Sequence, residues 1–274
     1  MIKTFIPKSK VLQQYIESFY VFKNNVPEKF SFIAFPHINT SISFFKGISL
    51  TRKNYSVTIQ SELSKPNTYS VEILGKFMKP VFVQYNGAFE EIAIVFKPLG
   101  INQFIPDYLH VAPNFSQALT INAWNELSPI LFTENNLRKR VQILEGFLLK
   151  NQNKVSFENI HKALSYLENV HMDYSIEEIA SFSQMNVKTF HRLFLKIMAC
   201  TPIEYKRIAR FRNSLNSKLF AKDIISLTKT AYDSNYYDQS YFIREYKKLT
   251  NLNPGKFFEA VSLLDEKKIV WKVL

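Results

Sequence analysis

The stretch AYDSNYYDQSYFIREYKKLTNLNP, from Ala231 to Pro254, decides the fold of the C-terminal half of the chain. Ser226 can cap a short helix, LTKTAYDS, that leads into this stretch, and Asn235-Tyr236-Tyr237 predict a tight turn after it. Asp238 is a suitable N-cap for a second helix, QSYFIREYKKL. The more exposed positions of that helix are mostly polar or basic: Gln239, Ser240, Ile243, Arg244, Lys247 and Lys248. A short helix, a tight turn and a basic second helix are the arrangement that places a helix in the major groove of DNA.

The same arrangement occurs about fifty residues earlier. Ser175 and Glu178 form a capping box before the helix IEEIASF, Ser183-Gln184 interrupt the helical pattern, and Asn186 can cap the helix VKTFHRLFLKIM. The apolar positions that face the core are Phe190, Leu193, Phe194 and Ile197, and the outward positions are Lys188, Thr189, His191, Arg192 and Lys196. One such unit is a weak indication, because two helices and a turn occur in many cores. Two units in tandem, both with a basic second helix, predict DNA binding much more strongly.

The run from Ser175 to Phe257 resembles the DNA-binding domain of AraC/XylS-type transcriptional regulators. The stretch quoted first is the most specific part of the resemblance, IEEIASFSQMNVKTFHRLFLKIMACTP is the weaker part, and the whole extends over about 155–260. The resemblance implies two helix-turn-helix motifs joined by one long helix, from Pro202 to Phe220. At ~1.5 Å per residue such a helix spans ~28 Å, close to the ~34 Å between successive major-groove segments. Both recognition helices can therefore reach one side of a duplex.

The resemblance also gives roles to individual residues. Arg192 and Arg244 occupy equivalent places in the two recognition helices and are expected to face DNA, where arginine binds either guanine or phosphate. The predicted DNA-binding residues are Lys188, Thr189, His191, Arg192, Lys196, Gln239, Ser240, Arg244 and Lys247. The basic residues of the joining helix are expected to form a solvated face: Lys206, Arg207, Arg210 and Arg212.

Four positions depart from the pattern of the family, which usually has glycine there. Gln184 and Asn235 lie in the two turns, and Ala199 and Asn251 follow the two recognition helices. Asparagine tolerates the left-handed backbone conformation that such positions require, whereas glutamine and alanine are less comfortable in it. The geometry of the first unit is therefore expected to be the less regular of the two.

The composition agrees with a polyanionic partner. The chain has 274 residues, a formal net charge of +12 and a pI of about 9.5, and its 46% apolar residues are enough for a globular core. The segment 174–255 contains 13 basic and seven acidic residues, so less than a third of the chain carries half of the net charge. Nucleic acid is therefore a better candidate partner than a membrane surface.

Several classes of function are excluded by residues that the sequence lacks. Cys200 is the only cysteine, so an intramolecular disulfide or a thiolate metal cluster cannot form, and a reducing cytoplasm is the expected location. No apolar run approaches the ~18 residues of a membrane span. The five histidines, His37, His110, His161, His171 and His191, show no ligand spacing, and nucleotide-binding and hydrolase motifs are absent. We therefore expect no enzyme, no cofactor and no metal site.

The first half of the chain reads as strands with flanking helices. Four segments rich in β-branched and aromatic residues are separated by turn residues: 30–45, 55–63, 69–85 and 89–96. They predict an antiparallel β sandwich or barrel. We expect its aromatic residues to form the hydrophobic core rather than to line an effector pocket. The three- and four-residue spacing of Leu12, Tyr15, Ile16 and Phe19 predicts a short helix before it. The fold class is thus α+β, with a β domain followed by an all-α domain.

A helix from Asn135 to Lys150 is predicted to connect the two domains. The run NQNK after it breaks the apolar pattern, so we expect a sensory or oligomerisation domain at 1–150, the DNA-binding domain at 155–260 and a C-terminal tail at 261–274. The apolar stripe of this helix, Leu137, Val141 and Leu144, is the candidate contact of a homodimer.

The predicted function is a sequence-specific transcriptional regulator that reads two major-groove segments and is modulated through its N-terminal domain. Its candidate partners are double-stranded DNA, RNA polymerase, a second copy of the chain and a small-molecule effector of unknown identity. The alternative is a nonspecific or architectural DNA-binding protein without effector control, which would show a similar salt dependence but little preference among sequences.

Overall fold

The computed structural model describes residues 2–26, 28–62, 64–105, 116–221, 225–264 and 269–273. His110 lies outside these described residues. The chain has a β-rich N-terminal domain with two sheets and a helical C-terminal region, as the sequence predicts.

The β domain consists of two six-stranded sheets. Its strands are β1 (Ile2–Phe5), β2 (Ile16–Asn24), β3 (Phe30–Ala34), β4 (Thr40–Lys46), β5 (Ile48–Lys53), β6 (Ser56–Ser61), β7 (Tyr69–Leu74), β8 (Val81–Asn86), β9 (Phe89–Phe96), β10 (Ser116–Ala118), β11 (Ser262–Leu264) and β12 (Ile269–Val273). The strand order is β1-β2-β9-β4-β7-β10 in the first sheet and β11-β12-β3-β8-β6-β5 in the second. Neighbouring strands are antiparallel except β6 and β8, which are parallel. In β8 buried and half-buried residues alternate, which is the period of a strand with one face in the core.

The prediction of a helix near the N-terminus is wrong. A single 3-10 turn covers Leu12–Gln14, and β2 begins at Ile16. From Ile16 onward the aromatic and β-branched residues favour a strand, and β2 pairs with both β1 and β9. Pairing on both edges outweighs the weak helical preference of this segment. The predicted strand segments also leave out β1, β5, β10, β11 and β12.

The helices first flank the first sheet and then form the helical region that ends at Ala260. They are α1 (Asn122–Thr133), α2 (Leu137–Lys150), α3 (Glu158–Glu168), α4 (Ile176–Phe182), α5 (Val187–Met198), α6 (Pro202–Leu219), α7 (Leu227–Asp233), α8 (Gln239–Thr250) and α9 (Pro254–Ala260). None of the described helices is both long and apolar enough to span a membrane.

The stripe on α2 that we assigned to a dimer contact is buried inside the chain. Val141 and Leu144 belong to the same core as Phe44 of β4 and Trp124 of α1, and Leu137 packs against that core. These residues cannot also form a contact between two copies without unfolding the domain, so this assignment is wrong. Self-association itself stays a prediction.

The two regions contact each other at several places. Phe35, which follows β3, is buried in the core of the last helices, where its ring lies 4.8 Å from that of Phe257. In the segment between α2 and α3, the amide of Asn153 donates to the carbonyl of Gln103 at 2.8 Å, and the Gln103 side chain both donates to and accepts from Val155. Strand β12, within the predicted tail, pairs with β3. The second sheet of the β domain therefore includes a strand from beyond the helical region.

Candidate nucleic-acid interface and the cavity beside it

The first helix-turn-helix unit consists of α4 and α5, and both of its helices begin as the sequence predicts. The Ser175 hydroxyl accepts a hydrogen bond from the amide of Glu178 at 3.1 Å, and the Glu178 carboxylate accepts one from the amide of Ser175 at 2.7 Å. The Asn186 side chain accepts the amide of Thr189 at 2.8 Å at the start of α5. These caps fix where each helix starts, because they satisfy amides that have no partner inside the helix.

The second unit, α7 and α8, repeats this construction. Ser226 accepts the amide of Lys229 at 3.1 Å, and Asp238 accepts the amide of Tyr241 at 2.6 Å. The Asn235 amide donates to the carbonyl three residues earlier at 2.9 Å, as the Gln184 amide does in the first unit, also at 2.9 Å. The two predicted units are therefore closed by the same backbone hydrogen bonds.

The four positions where the family usually has glycine do adopt the left-handed conformation. The φ angles are 57° at Gln184, 54° at Ala199, 54° at Asn235 and 61° at Asn251. The left-handed conformation costs a residue with a Cβ roughly 1–2 kcal/mol, and asparagine offsets part of that cost through its short polar side chain. The strain therefore falls mainly on the first unit, as expected.

The predicted DNA-binding residues lie on the outward faces of the two second helices. On α5 the side chains of Lys188, Arg192 and Lys196 are exposed at four-residue spacing, while Thr189 and His191 are half-buried. On α8 the predicted residues Gln239, Ser240, Arg244 and Lys247 are all exposed. Within the described part of the chain, none of the basic residues among these forms a salt bridge. These cations have no carboxylate partner there, although the Arg244 guanidinium lies over the ring of Tyr241 at 5.8 Å, so their charge is available to phosphate or a base edge.

The basic residues of the joining helix α6 behave differently, and the expectation of a solvated face is wrong. Arg207 donates to both carboxylate oxygens of Glu245, at 2.8 and 3.2 Å. Lys206 and Arg210 both bind Asp173 at 2.8 Å. These partners lie more than thirty residues away in sequence, so no local pattern announces them. The predicted DNA-binding cations of α5 and α8, by contrast, form no salt bridge among the described residues.

Comparison with protein-family models matches residues 179–260 to a family described as a helix-turn-helix domain. These residues form an AraC-type helix-turn-helix domain. The match includes the C-terminal part of α4, all of α5 to α9 and both turns of this helix-turn-helix domain. No curated protein matches the chain.

Among solved structures, the chain is similar to ToxT from Vibrio cholerae. An apo variant of ToxT from strain SCE256 has a TM-score of 0.45 and 14% sequence identity, over 88% of this chain and 96% of that one. ToxT from strain O395 bound to (E)-4-(8-methylnaphthalen-1-yl)but-3-enoic acid has a TM-score of 0.45 and 12% identity, over 87% and 97% of the two chains. Unsaturated fatty acid bound ToxT from strain SCE256 has a TM-score of 0.44 and 14% identity, over 90% and 96%.

A cavity of about 940 Å³ lies between the two sheets of the β domain and reaches α6. Both sheets contribute apolar residues to its wall, α6 contributes Arg212 and Asn216, and Phe220 directly after α6 also lines it. Of the aromatic residues that we expected in the core, Phe44, Phe89 and Phe96 are buried without lining it, and Phe82 is only half-buried. Four others also line the cavity, namely Phe32, Phe35, Phe45 and Tyr85.

A buried carboxylate forms one polar part of the cavity wall. Glu91 accepts hydrogen bonds from the hydroxyls of Tyr20 at 2.7 Å, Ser43 at 2.6 Å and Tyr85 at 2.8 Å. Burial raises the pKa of Glu91, and the three hydrogen bonds partly offset this rise because they stabilise the ionised form. Sequence reasoning missed this residue, although Glu91 shares a strand face with Phe89 and so had to face the interior.

A half-buried arginine forms the polar part of the wall next to the helical region. Arg212 donates from Nε to the carbonyl of Pro36 at 2.6 Å and from Nη2 to that of Phe35 at 2.8 Å. Burial lowers its pKa to about 9. Burial also lowers the pKa of His37, and the neighbouring Arg212 charge adds to this effect. The helix that joins the two helix-turn-helix units is thereby bonded directly to the cavity wall.

The single cysteine is buried, as an inert residue would be. Cys200 follows α5 and is 3% exposed, and burial raises its pKa to about 11. A thiol in this state is mostly protonated at neutral pH and is therefore a poor nucleophile.

Proposed function

We propose that this chain is a sequence-specific transcriptional regulator that reads two successive major-groove segments with α5 and α8. The observation that carries the proposal is a pair of helix-turn-helix units with side-chain N-caps on all four helices, whose second helices expose cations that form no salt bridge among the described residues. The 18 residues of α6 that separate them give a length of ~27 Å, which suits successive groove segments of one duplex.

Selection of bound fragments from random duplex DNA by the purified full-length protein tests this proposal. We expect an enriched site with two elements about one helical turn apart, ~10 base pairs from centre to centre, and an affinity that falls steeply with salt. Tight binding at low salt without an enriched site would favour the nonspecific, architectural alternative. No binding to any duplex at low salt would contradict both.

We further propose that a small molecule bound in the cavity modulates DNA binding. The cavity volume lies within the ~300–1,000 Å³ of ligand sites, and its largely apolar wall with a few polar groups is typical of them. Arg212 supports the coupling, because a ligand that changes its contacts also acts on the helix that spaces the two units. A ligand can shift the arrangement only if it binds one arrangement more tightly.

Thermal unfolding of the full-length protein with a panel of small molecules would identify ligands. The variant Val83→Phe narrows the cavity from β8 and changes no residue of either recognition helix. We expect this variant to lose the shift caused by a ligand and to keep the parental DNA affinity when no ligand is present. A ligand that raises the midpoint of parent and variant equally does not use the cavity.

The remaining partners and the domain limits belong to the same proposal. We propose action in the cytoplasm, with RNA polymerase and a second copy of the chain as protein partners. We propose a sensory domain at 1–150 and a DNA-binding domain at 155–260, which contains both helix-turn-helix units. Sedimentation of the full-length protein at micromolar concentration tests self-association, and a monomer there would contradict the dimer.

A further inference from the structure

The turns of the two helix-turn-helix units differ by one residue. In the first unit only Met185 lies between the left-handed Gln184 and the N-cap Asn186. In the second unit Tyr236 and Tyr237 both lie between the left-handed Asn235 and the N-cap Asp238.

The backbone hydrogen bonds identify the additional residue. The Met185 amide donates to the carbonyl of Ala180 at 2.9 Å, and the Tyr236 amide donates to that of Ala231 at 3.0 Å. Met185 and Tyr236 are therefore equivalent, and Tyr236 is 7% exposed within its core. Tyr237 is the inserted residue.

Two tyrosines of the second unit are exposed to an unusual degree. Tyr237 is 93% exposed and Tyr232, in the last turn of α7, is 83% exposed, whereas the next large hydrophobic residues of the described chain reach 54%. Neither side chain has a hydrogen bond or a ring contact within the described residues. The position equivalent to Tyr232 in the first unit is Ser181, because the amides of Asn235 and Gln184 donate to these two residues. Only the second unit thus presents two phenol rings beside its turn.

Their place on the domain indicates what they bind. Tyr237 directly precedes the N-cap of α8, and the first residues of α8, Gln239 and Ser240, are predicted to read bases. The chain just before a recognition helix runs beside the DNA backbone, where tyrosine hydroxyls are among the groups that bind phosphate. The exposed cations Arg244 and Lys247 on the same helix favour a polyanion as the occupant.

We propose that Tyr237 and Tyr232 form a neutral clamp on the sugar-phosphate backbone of duplex DNA beside the groove that α8 reads. This inference rests on the proposed function. The hydroxyls donate to phosphate oxygens and the rings pack on deoxyribose, so the clamp adds affinity without reading sequence. A neutral group releases no counterion, so its contribution does not depend on salt as that of a lysine does.

Binding of the full-length variants Tyr237→Ala and Tyr232→Ala to the selected duplex and to a random duplex, over a range of salt, tests the clamp. We expect each variant to lose about tenfold in affinity on both duplexes, the size of one hydrogen bond to a charged group. The slope of log affinity against log salt should equal that of the parent. Lys247→Ala is the contrast, because removal of a phosphate-binding cation should reduce that slope by about one. Tyr237→Phe should show the loss due to the hydroxyl alone.

The controls separate the clamp from the proposed function. Ile130→Ala removes an exposed apolar side chain from α1 and should leave the affinity unchanged, and Tyr232→Ser installs the residue of the first unit. Both tyrosines are exposed, so the unfolding midpoints of the variants should match that of the parent. Parental affinity of the tyrosine variants on both duplexes would overturn the clamp, and so would a loss confined to the selected duplex. Failure of the parent to bind any duplex would contradict the proposed function instead.

Discussion

The two helix-turn-helix units have the same local structure but are held in place by different parts of the molecule. The C-terminal end of α5 is bonded to the β domain, because Asn102 Nδ2 donates to the carbonyl of Ile197 at 3.0 Å and Lys76 Nζ donates to that of Met198 at 3.1 Å. Helix α8 is instead bonded to α6, through Arg207 with Glu245 and through a 2.7 Å hydrogen bond between Ser214 and Tyr246.

This difference distinguishes the local structure that each unit forms by itself from the orientation that the rest of the molecule gives to its recognition helix. Caps and turn hydrogen bonds connect residues within five positions of each other, so both units form them independently. The orientation of each recognition helix depends on side chains from elsewhere. We therefore expect a change at Asn102 or Lys76 of the β domain to act first on α5, and a change at Arg207 or Ser214 of α6 to act first on α8.

The largest expected effect comes from the cores of the units. Phe190 and Phe242 are the equivalent buried rings of α5 and α8, at 0% and 1% exposure. Each change to alanine should reduce the free energy of unfolding by about 3–5 kcal/mol, through lost burial and a cavity. Denaturant unfolding of the two variants measures this. A loss below about 1 kcal/mol in either would mean that the unit is not packed as described.

The second comparison concerns the arginines that face outward at equivalent places. Arg192→Ala and Arg244→Ala should each weaken the complex with the selected duplex by about 1–3 kcal/mol if the arginine reads a base. A phosphate contact would instead lower affinity similarly on selected and random duplexes. Titration of both duplexes with each variant distinguishes the two roles, and parental affinity on the selected duplex would remove that arginine from the interface.

The third test removes the ion pair between Arg207 and Glu245, which holds α8 against α6. Glu245→Gln leaves Arg207 without its carboxylate partner, and we expect a loss of about 1–2 kcal/mol in unfolding free energy together with weaker binding at the half-site of α8. Lys206→Met is the matched control, since its partner Asp173 is 58% exposed and such a pair contributes about 0–1 kcal/mol. Equal losses in both variants would show that Glu245 has no special role.

The smallest expected effect tests the backbone strain of the turns. Gln184→Gly should raise the free energy of unfolding by about 0.5–1 kcal/mol, because glycine adopts a positive φ without steric cost. Asn235→Gly should change it by only a few tenths, since asparagine already tolerates that conformation. Thermal unfolding of the two variants checks the order, and a larger gain at Asn235 would contradict it.

The sequence by itself determined the features that depend on neighbouring residues. The caps at Ser175, Asn186, Ser226 and Asp238 and the outward cations follow from side chains that act within one helical turn. The left-handed turn positions were implied by the resemblance to the family. The β-rich character of the first domain was also predictable, because β-branched and aromatic residues dominate its segments.

Only the tertiary structure decided which distant groups meet. The pairing of β2 on both edges replaced the predicted N-terminal helix, and the β domain buried the α2 stripe that we had assigned to a dimer. Arg212 bonds to Phe35, 177 residues away, and Arg207 bonds to Glu245, 38 residues away. A local pattern shows that a charge exists but not where its partner will lie. Burial and partnering depend on how whole elements pack, and that is fixed only when the complete chain has folded.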